Sequence, residues 1–235
     1  MYTEHSSKQY DAELESVRAK VLEMGGLVEQ QIVMALDALV KLDTKQANEV
    51  MVNDAKVNQL EVLVDEECSR IIARRQPAAG DLRMIMMIVK TITDLERIGD
   101  EATKIARTAD KIFKEDRMYK PRFNEIKAMV TLVSGMLRTA LDGFARLDDS
   151  QSVDVARQDE LVDEQFRTAT RQLITYMLED PRTISMSLEV LFVAKALERI
   201  GDHAKNIAEY VVYMVKGVDV RHVTMKELEK ETLQN

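Results

Sequence analysis

Across residues 11–42 apolar side chains recur at Leu14, Val17, Val21, Met24, Val28, Ile32, Ala35 and Leu39. Steps of three and four keep them on one face of an α-helix, so the segment reads as one long amphipathic helix that Gly25-Gly26 can bend. The same rhythm predicts a second helix over residues 44–74, with Val57, Leu60, Val64, Cys68 and Ile71 on its inner stripe and its end set by Pro77. Pro77-Ala-Ala-Gly80 is turn chemistry, and Asp81 is placed to cap a third helix reaching about residue 113. Pro121 opens a second set of three, predicted over residues 121–147, 149–178 and 182–215. From Gly217 the chain is highly charged and is expected to be ordered only in part.

The two sets repeat one another. Leu95-Glu96-Arg97-Ile98-Gly99-Asp100 returns as Leu197-Glu198-Arg199-Ile200-Gly201-Asp202, and from Leu95 to Ala106 nine of twelve positions match. Ala35 to Asp43 aligns without a gap to Ala140 to Asp148, and the same register carries Asp54, Val57 and Asn58 onto Asp159, Val162 and Asp163. A shared apolar rhythm explains matching Leu and Ala but not matching Glu, Asp and Gly. The chain is therefore expected to be all-α: two tandem three-helix bundles, residues 1–116 and 117–216, related by an approximate twofold, then a charged tail at 217–235.

Composition agrees with a helical bundle and narrows the function classes. Hydrophobic residues make up 46% and aromatics 5%, with 14 Met and no Trp, where sheets would want more aromatics and more turns. A formal charge of -8 argues against a nucleic-acid backbone as the main partner, because phosphate neutralisation calls for a basic face. One cysteine excludes an intrachain disulfide framework and fits a reducing compartment. No charged and apolar leader opens the chain and no 18-residue apolar run occurs, so a soluble, cytoplasmic protein is expected.

The candidate chemistry lies in where the acids fall. At 100° per residue Leu95, Ile98, Ala102, Ile105 and Ala106 form a buried arc, with Glu96 and Asp100 together on its flank. Asp54, Asn58, Glu61 and Asp65 take the same flank of the second helix, as Asp159 and Asp163 do on the fifth. Two facing acidic flanks repel unless protons, Arg or Lys, or a cation intervene. Oxygen-only ligands favour hard cations: magnesium, calcium, manganese or ferric iron. Gly99 and Gly201 each cost a helix about 1 kcal/mol relative to Ala, which a close helix approach or room for an ion would offset. His203, about 100° round from Asp202, reads as a surface histidine; Cys68 and Met84, Met86 and Met87 read as packing residues. There is no nucleophile with a base at a recognisable spacing, no Gly-rich phosphate loop and no Glu-x-x-His, so catalytic residues are not expected. Two alternatives are a carboxylate-bridged metal enzyme or ion-storage bundle, and a helical scaffold without metal.

The two Glu-Arg-Ile-Gly-Asp segments, Arg74-Arg75-Gln76-Pro77 followed by Asp81-Leu82-Arg83, and Asp202-His203-Ala204-Lys205-Asn206-Ile207 together resemble the PhoU family of bacterial phosphate-signalling regulators, over nearly the whole chain. The resemblance implies two three-helix bundles, usually as a homodimer, that bind multinuclear metal clusters, with iron, manganese or magnesium as candidates. Carried over, the motif falls on Glu96 and Asp100, Glu198 and Asp202, Asp159 and Asp163, and Asp54 and Asn58. An amide at Asn58 lowers ligand charge in the first site, so the stronger cation site is expected in the C-terminal half. The resemblance further implies a non-enzymatic cytoplasmic adaptor that couples a phosphate ABC transporter, through its ATPase subunit, to a sensor histidine kinase. Such an adaptor restrains the phosphate-starvation response when phosphate is plentiful and meets the membrane only through its partners.

Overall fold

A computed structural model describes residues 8–114 and 124–233. Seven α-helices occur among them and no strand: α1 (Lys8–Lys41), α2 (Thr44–Arg75), α3 (Ala79–Lys114), α4 (Asn124–Arg146), α5 (Ser152–Glu179), α6 (Ile184–Lys216) and α7 (Met225–Leu233). The expected start of the fourth helix at Pro121 lies outside the described residues. Local chemistry sets most ends. Asp43 accepts the backbone N–H groups of Lys45 and Gln46 and starts α2, while Gln76, with φ 48°, ends it in the left-handed region. The sixth helix begins later than its apolar rhythm suggests, because Pro181–Thr183 forms a 3₁₀ turn in which the Asp180 side chain accepts from the Arg182 N–H.

Helices α1, α2 and α3 pack together, as do α4, α5 and α6, and α3 lies along α6 in the broadest contact between the two sets. One continuous hydrophobic core runs through both, with Ile98 and Ile200, from the two copies of the hexapeptide, each fully buried. Burial of each such side chain contributes about 1.5–3 kcal/mol. The long central helices run antiparallel, since contacts descend α6 as they ascend α3: Arg83 lies over the Tyr213 ring, Asp94 meets Asn206, and Glu101 meets Arg199.

That seam corrects the reading of His203. Its ring is largely buried, with Nδ1 2.6 Å from Asp94 Oδ1, and Asn206 Nδ2 donates to the same oxygen at 3.2 Å. Asp94 and Glu101 are buried at the join and take partners from the opposite half, Glu101 sharing its Oε1 between Arg199 and Lys104 of its own helix. Met86 also departs from expectation: it is 46% exposed, whereas Met84 and Met87 are buried.

Beyond Gly217 the charged segment carries a helix, α7. Thr224 and Glu227 form a reciprocal capping box, the Thr224 N–H donating to Glu227 Oε2 at 2.7 Å and the Glu227 N–H to Thr224 Oγ1 at 3.4 Å. Leu228 and Val220 then bury against Ala156 and Val212 in a small satellite core.

Candidate functional site

In the N-terminal half α2 brings Asp54 and Glu61 to the flank of α3 that carries Glu96 and Asp100. Burial holds the Asp54 carboxyl above its ordinary pKa and the Asp100 charge adds to this, against the pull of Thr103 and Gln31. Glu96 is raised by burial and then by Asp100 and Glu61, and Glu61 by burial with Asp65 and Asp100 adding while Arg97 opposes. All three shifts begin with burial, which disfavours the charged form, and are enlarged by neighbouring negative charge. Arg97 approaches Glu96 only to 3.6 Å. Thr103 and Gln31 lie close enough to Asp54 to lower its pKa, yet among the described residues neither Asp54 Oδ1 nor either side-chain polar atom of Gln31, a residue only 2% exposed, completes a hydrogen bond. Gly99 makes this approach possible, since a Cβ there would stand 3.1 Å from Gln31 Oε1 and 3.3 Å from Asp54 Oδ1. Asn58 is exposed, and the α2 acids that couple to Glu96 are Glu61 and, more weakly, Asp54.

In the C-terminal half α5 and α6 present Asp159, Asp163, Glu198 and Asp202 from corresponding positions. Here three of the four acids are matched by bases: Lys205 Nζ lies 2.9 Å from Asp159 Oδ2, Lys195 Nζ 2.6 Å from Glu198, and Arg167 3.4 Å from Asp163. Burial is the largest single effect on the Lys205 ammonium and works against it, but the bond and charge of Asp159 together with the charges of Glu209 and Asp202 outweigh it and keep its pKa above the ordinary value. Asp202 has no such partner and is pushed up to about 6 by desolvation and by Glu198, Asp159 and Asp163. The repeat carries Thr93 onto Lys195 and Thr103 onto Lys205. Hydroxyls in one half thus stand where ammonium groups stand in the other.

This difference reverses the ground for expecting the stronger cation site in the C-terminal half. Asn58 lowers the acid count of the first cluster, but two lysines neutralise the second from within. Sequence reasoning missed Gln31, Lys195 and Lys205. The signal for Lys205 lay in the repeat itself, where the mismatch of Thr103 with Lys205 interrupts the matching run.

The donors of the first cluster are all oxygens, and its orphaned Asp54 Oδ1 and Gln31 Oε1 suit a hard cation in chemistry. Among the described residues, however, no group of three or more His, Cys, Asp or Glu side chains converges in a way that would hold a metal ion. Burial pushes the Cys68 thiol up to about 12, leaving it a packing residue. No helix among the described residues is long and apolar enough to cross a membrane.

Comparison with known proteins bears on both halves. The family described as PhoU domain matches residues 21–109 and again residues 126–211. A Pseudomonas putida protein named phosphate-specific transport system accessory protein PhoU homolog is 50% identical over 230 residues, covering 97% of this chain and 89% of the relative. The Escherichia coli (strain K12) protein of the same name, without "homolog", is 47% identical over 226 residues, covering 96% and 93%. Among solved structures, PhoU from Pseudomonas aeruginosa superposes with a TM-score of 0.85 at 50% identity, covering 89% of this chain and 100% of that one. The phosphate transport system regulatory protein PhoU from Streptococcus pneumoniae gives 0.82 at 27% identity, covering 90% and 99%.

Proposed function

The chain belongs to the PhoU family, and from that premise we propose that it is a non-enzymatic accessory protein of a phosphate-specific transport system that regulates phosphate uptake and signalling. The observation that carries this reading is the double match: both halves fit the family domain, over almost the full length of relatives that bear that role in their names. The finer reading is an adaptor on the cytoplasmic side, working as a homodimer. It engages the transporter through its ATPase subunit and a sensor histidine kinase, and restrains the starvation response when phosphate is plentiful. The paired bundles support such a role, since one rigid core joins two equivalent halves across a polar seam.

The acid clusters complete the proposal. Asp54, Glu61, Glu96 and Asp100, which do not converge as they stand, would have to be drawn together to hold a hard cation, manganese, magnesium or ferric iron, in the N-terminal half. Bound there, it would supply the positive charge that tethers α2 to α3. Gln31 and Thr103 line the same ground, and Gly99 keeps it open. The C-terminal acids Asp159, Asp163, Glu198 and Asp202 would take a cation only against Lys195 and Lys205.

The regulatory reading is tested by deleting the gene and complementing with wild-type protein, reading starvation-gene expression in high phosphate. Derepression on deletion and restored repression on complementation are expected; repression that persists in the deletion strain would sink the proposal. Elemental analysis of purified wild-type protein and of Asp54→Asn with Glu96→Gln addresses the cation separately. Metal content that does not fall in the double variant removes that part while leaving the adaptor role standing.

A further inference from the structure

Far along the α3–α6 seam from the hexapeptides, the start of α3 and the end of α6 enclose a groove of about 340 Å3. Ligand sites of small organic molecules begin at about this size. Leu82, Met86 and Met87 give it an apolar wall, and Tyr210 and Tyr213 face them. Leu82 and Met86 are 39% and 46% exposed, so this wall is open to solvent.

Two cations enter the groove without carboxylate partners. The Arg83 guanidinium lies 5.7 Å from the centre of the Tyr213 ring and the Lys90 ammonium 5.6 Å from that of Tyr210. Neither forms an ion pair among the described residues, although Lys90 is near enough to Asp219 to help lower its pKa. Arg221, the third cation, is already committed: its Nε meets Asp219 Oδ1 at 2.9 Å, and that bond is the main reason Asp219 falls to about 2. Arg83 also rests on Gly217, whose φ of 75° ends α6, and a guanidinium there complements the helix dipole. Capping does not exhaust its hydrogen-bonding capacity, because Arg83 Nε is buried with no acceptor.

The pseudo-equivalent end of the seam keeps an exposed apolar pair, Ile184 and Leu188 standing for Leu82 and Met86, but lacks the cations and the facing rings. There the repeat puts Ser185 for Arg83, Phe192 for Lys90, Thr108 for Tyr210 and Lys111 for Tyr213, and Lys111 is paired with Glu189. The cations and rings of this groove are therefore not a by-product of the duplicated fold, whereas its apolar wall is shared.

We propose that this groove binds a nucleotide, its phosphate held by Arg83 and Lys90 and its base lodged against Leu82, Met86 and the tyrosine rings. Arg and Lys donate charge-assisted hydrogen bonds to phosphate, and flat bases gain from apolar and aromatic contact. A bare phosphate would use the two cations but leave the apolar wall and both rings uncovered. Glu209 lines the same groove, half-buried and raised to about 7 by burial, so near neutrality it is able either to donate to or to accept from the edge of a base. This site stands independently of the acid clusters and of the accessory role.

The test is equilibrium dialysis of the full-length protein against ATP, AMP, adenosine and inorganic phosphate, one at a time, with circular dichroism to verify that each variant is folded. Saturable binding of ATP or AMP is expected, with adenosine and phosphate alone each much weaker. Lys90→Ala should weaken the nucleotide by about tenfold or more, the worth of one charge-assisted contact. Arg83→Lys, which keeps the charge but loses the planar fork, should also weaken it if Arg83→Ala does not fold, and Lys111→Ala at the opposite end should bind as wild type. The proposal is overturned by no saturable nucleotide binding to wild-type protein, by phosphate or adenosine alone matching ATP, by wild-type affinity in folded Lys90→Ala and Arg83→Lys, or by an equal loss in Lys111→Ala.

Discussion

The two acid clusters occupy the same places in a duplicated fold yet handle their charge in opposite ways. In the C-terminal half Lys205 lies 2.9 Å from the buried Asp159, and Lys195 bonds Glu198 at 2.6 Å. In the N-terminal half the equivalent positions are Thr103 and Thr93, and Thr93 Oγ1 turns back to its own helix at Val89 O. Asp54, Glu61 and Glu96 are then left with raised proton affinities and Asp54 Oδ1 with no partner. One cluster is neutralised at Asp159 and Glu198 and leaves its unmet charge at Asp202, whereas the other has no internal ammonium and spreads it over Asp54, Glu61 and Glu96. Counting acids alone hides this, because the deciding residues are the bases.

The sharpest way to break the comparison is to remove the internal base. Lys205→Met strands the Asp159 carboxylate, which is 7% exposed, and should lower unfolding free energy by about 1–3 kcal/mol, the usual cost of leaving a buried polar group unpaired. Thr103→Ala, at the matching position, should cost clearly less because no ion pair is lost. Urea unfolding of the two variants decides: equal losses would mean that Lys205 is not neutralising anything of consequence.

Moving the ammonium is the converse experiment. Thr103→Lys supplies the first cluster with a built-in cation and should reduce its uptake of Mn2+ by roughly tenfold, an energy of about 1.4 kcal/mol. Lys195→Thr with Lys205→Thr should raise uptake in the C-terminal half. Titration followed by electron paramagnetic resonance reads both, and unchanged uptake in Thr103→Lys would detach cation binding from the charge argument.

A smaller effect lies in pH. The Asp202 carboxyl, ordinarily near 3.8, is raised to about 6 in the folded protein, so between those values the folded state binds more protons than the unfolded one. Its contribution to stability is therefore present in acid and lost as pH climbs through about 6. Asp202→Asn should be more stable than wild type at pH 7, with the advantage fading towards pH 4. A gap that stays constant across that range would show that neither desolvation nor the charge of its acidic neighbours raises the Asp202 carboxyl.

Most of the helical frame was legible because its cause is local. Steps of three and four place Leu14 through Leu39 on one face, Pro77 and Pro181 mark the turns, and the hexapeptide fixes the register of the repeat. Residues whose role depends on another helix were not legible. His203 looked like a surface residue because its partner, Asp94, lies in the other half of the chain; Gln31 gave no sign because it reaches the first cluster from α1, which carries no acid motif. The helix α7 was hidden by its charge, since Leu228 and Val220 are too few to set a period, but Thr224-Met225-Lys226-Glu227 is a capping-box sequence and was readable as a helix start.

The finest distinction between the clusters lies at their glycines. A Cβ at Gly201 would meet Asp159 Oδ1, Val162 and Val133 at 3.5 to 3.6 Å, ordinary contact distances, whereas at Gly99 it would press on Gln31 Oε1 at 3.1 Å and Asp54 Oδ1 at 3.3 Å. Alanine inside a helix is worth about 1 kcal/mol over glycine, so Gly201→Ala should stabilise the protein by up to that amount. Gly99→Ala should recover less or none of it, because the gain is offset by pushing aside two buried polar groups that have no other partner. It should also lower cation uptake in the N-terminal half, while Gly201→Ala leaves that uptake as it was. Thermal melts and Mn2+ titration of the two variants separate the effects. Equal stabilisation with equal uptake would mean that Gly99 reflects the duplication alone and not the crowding of the first cluster.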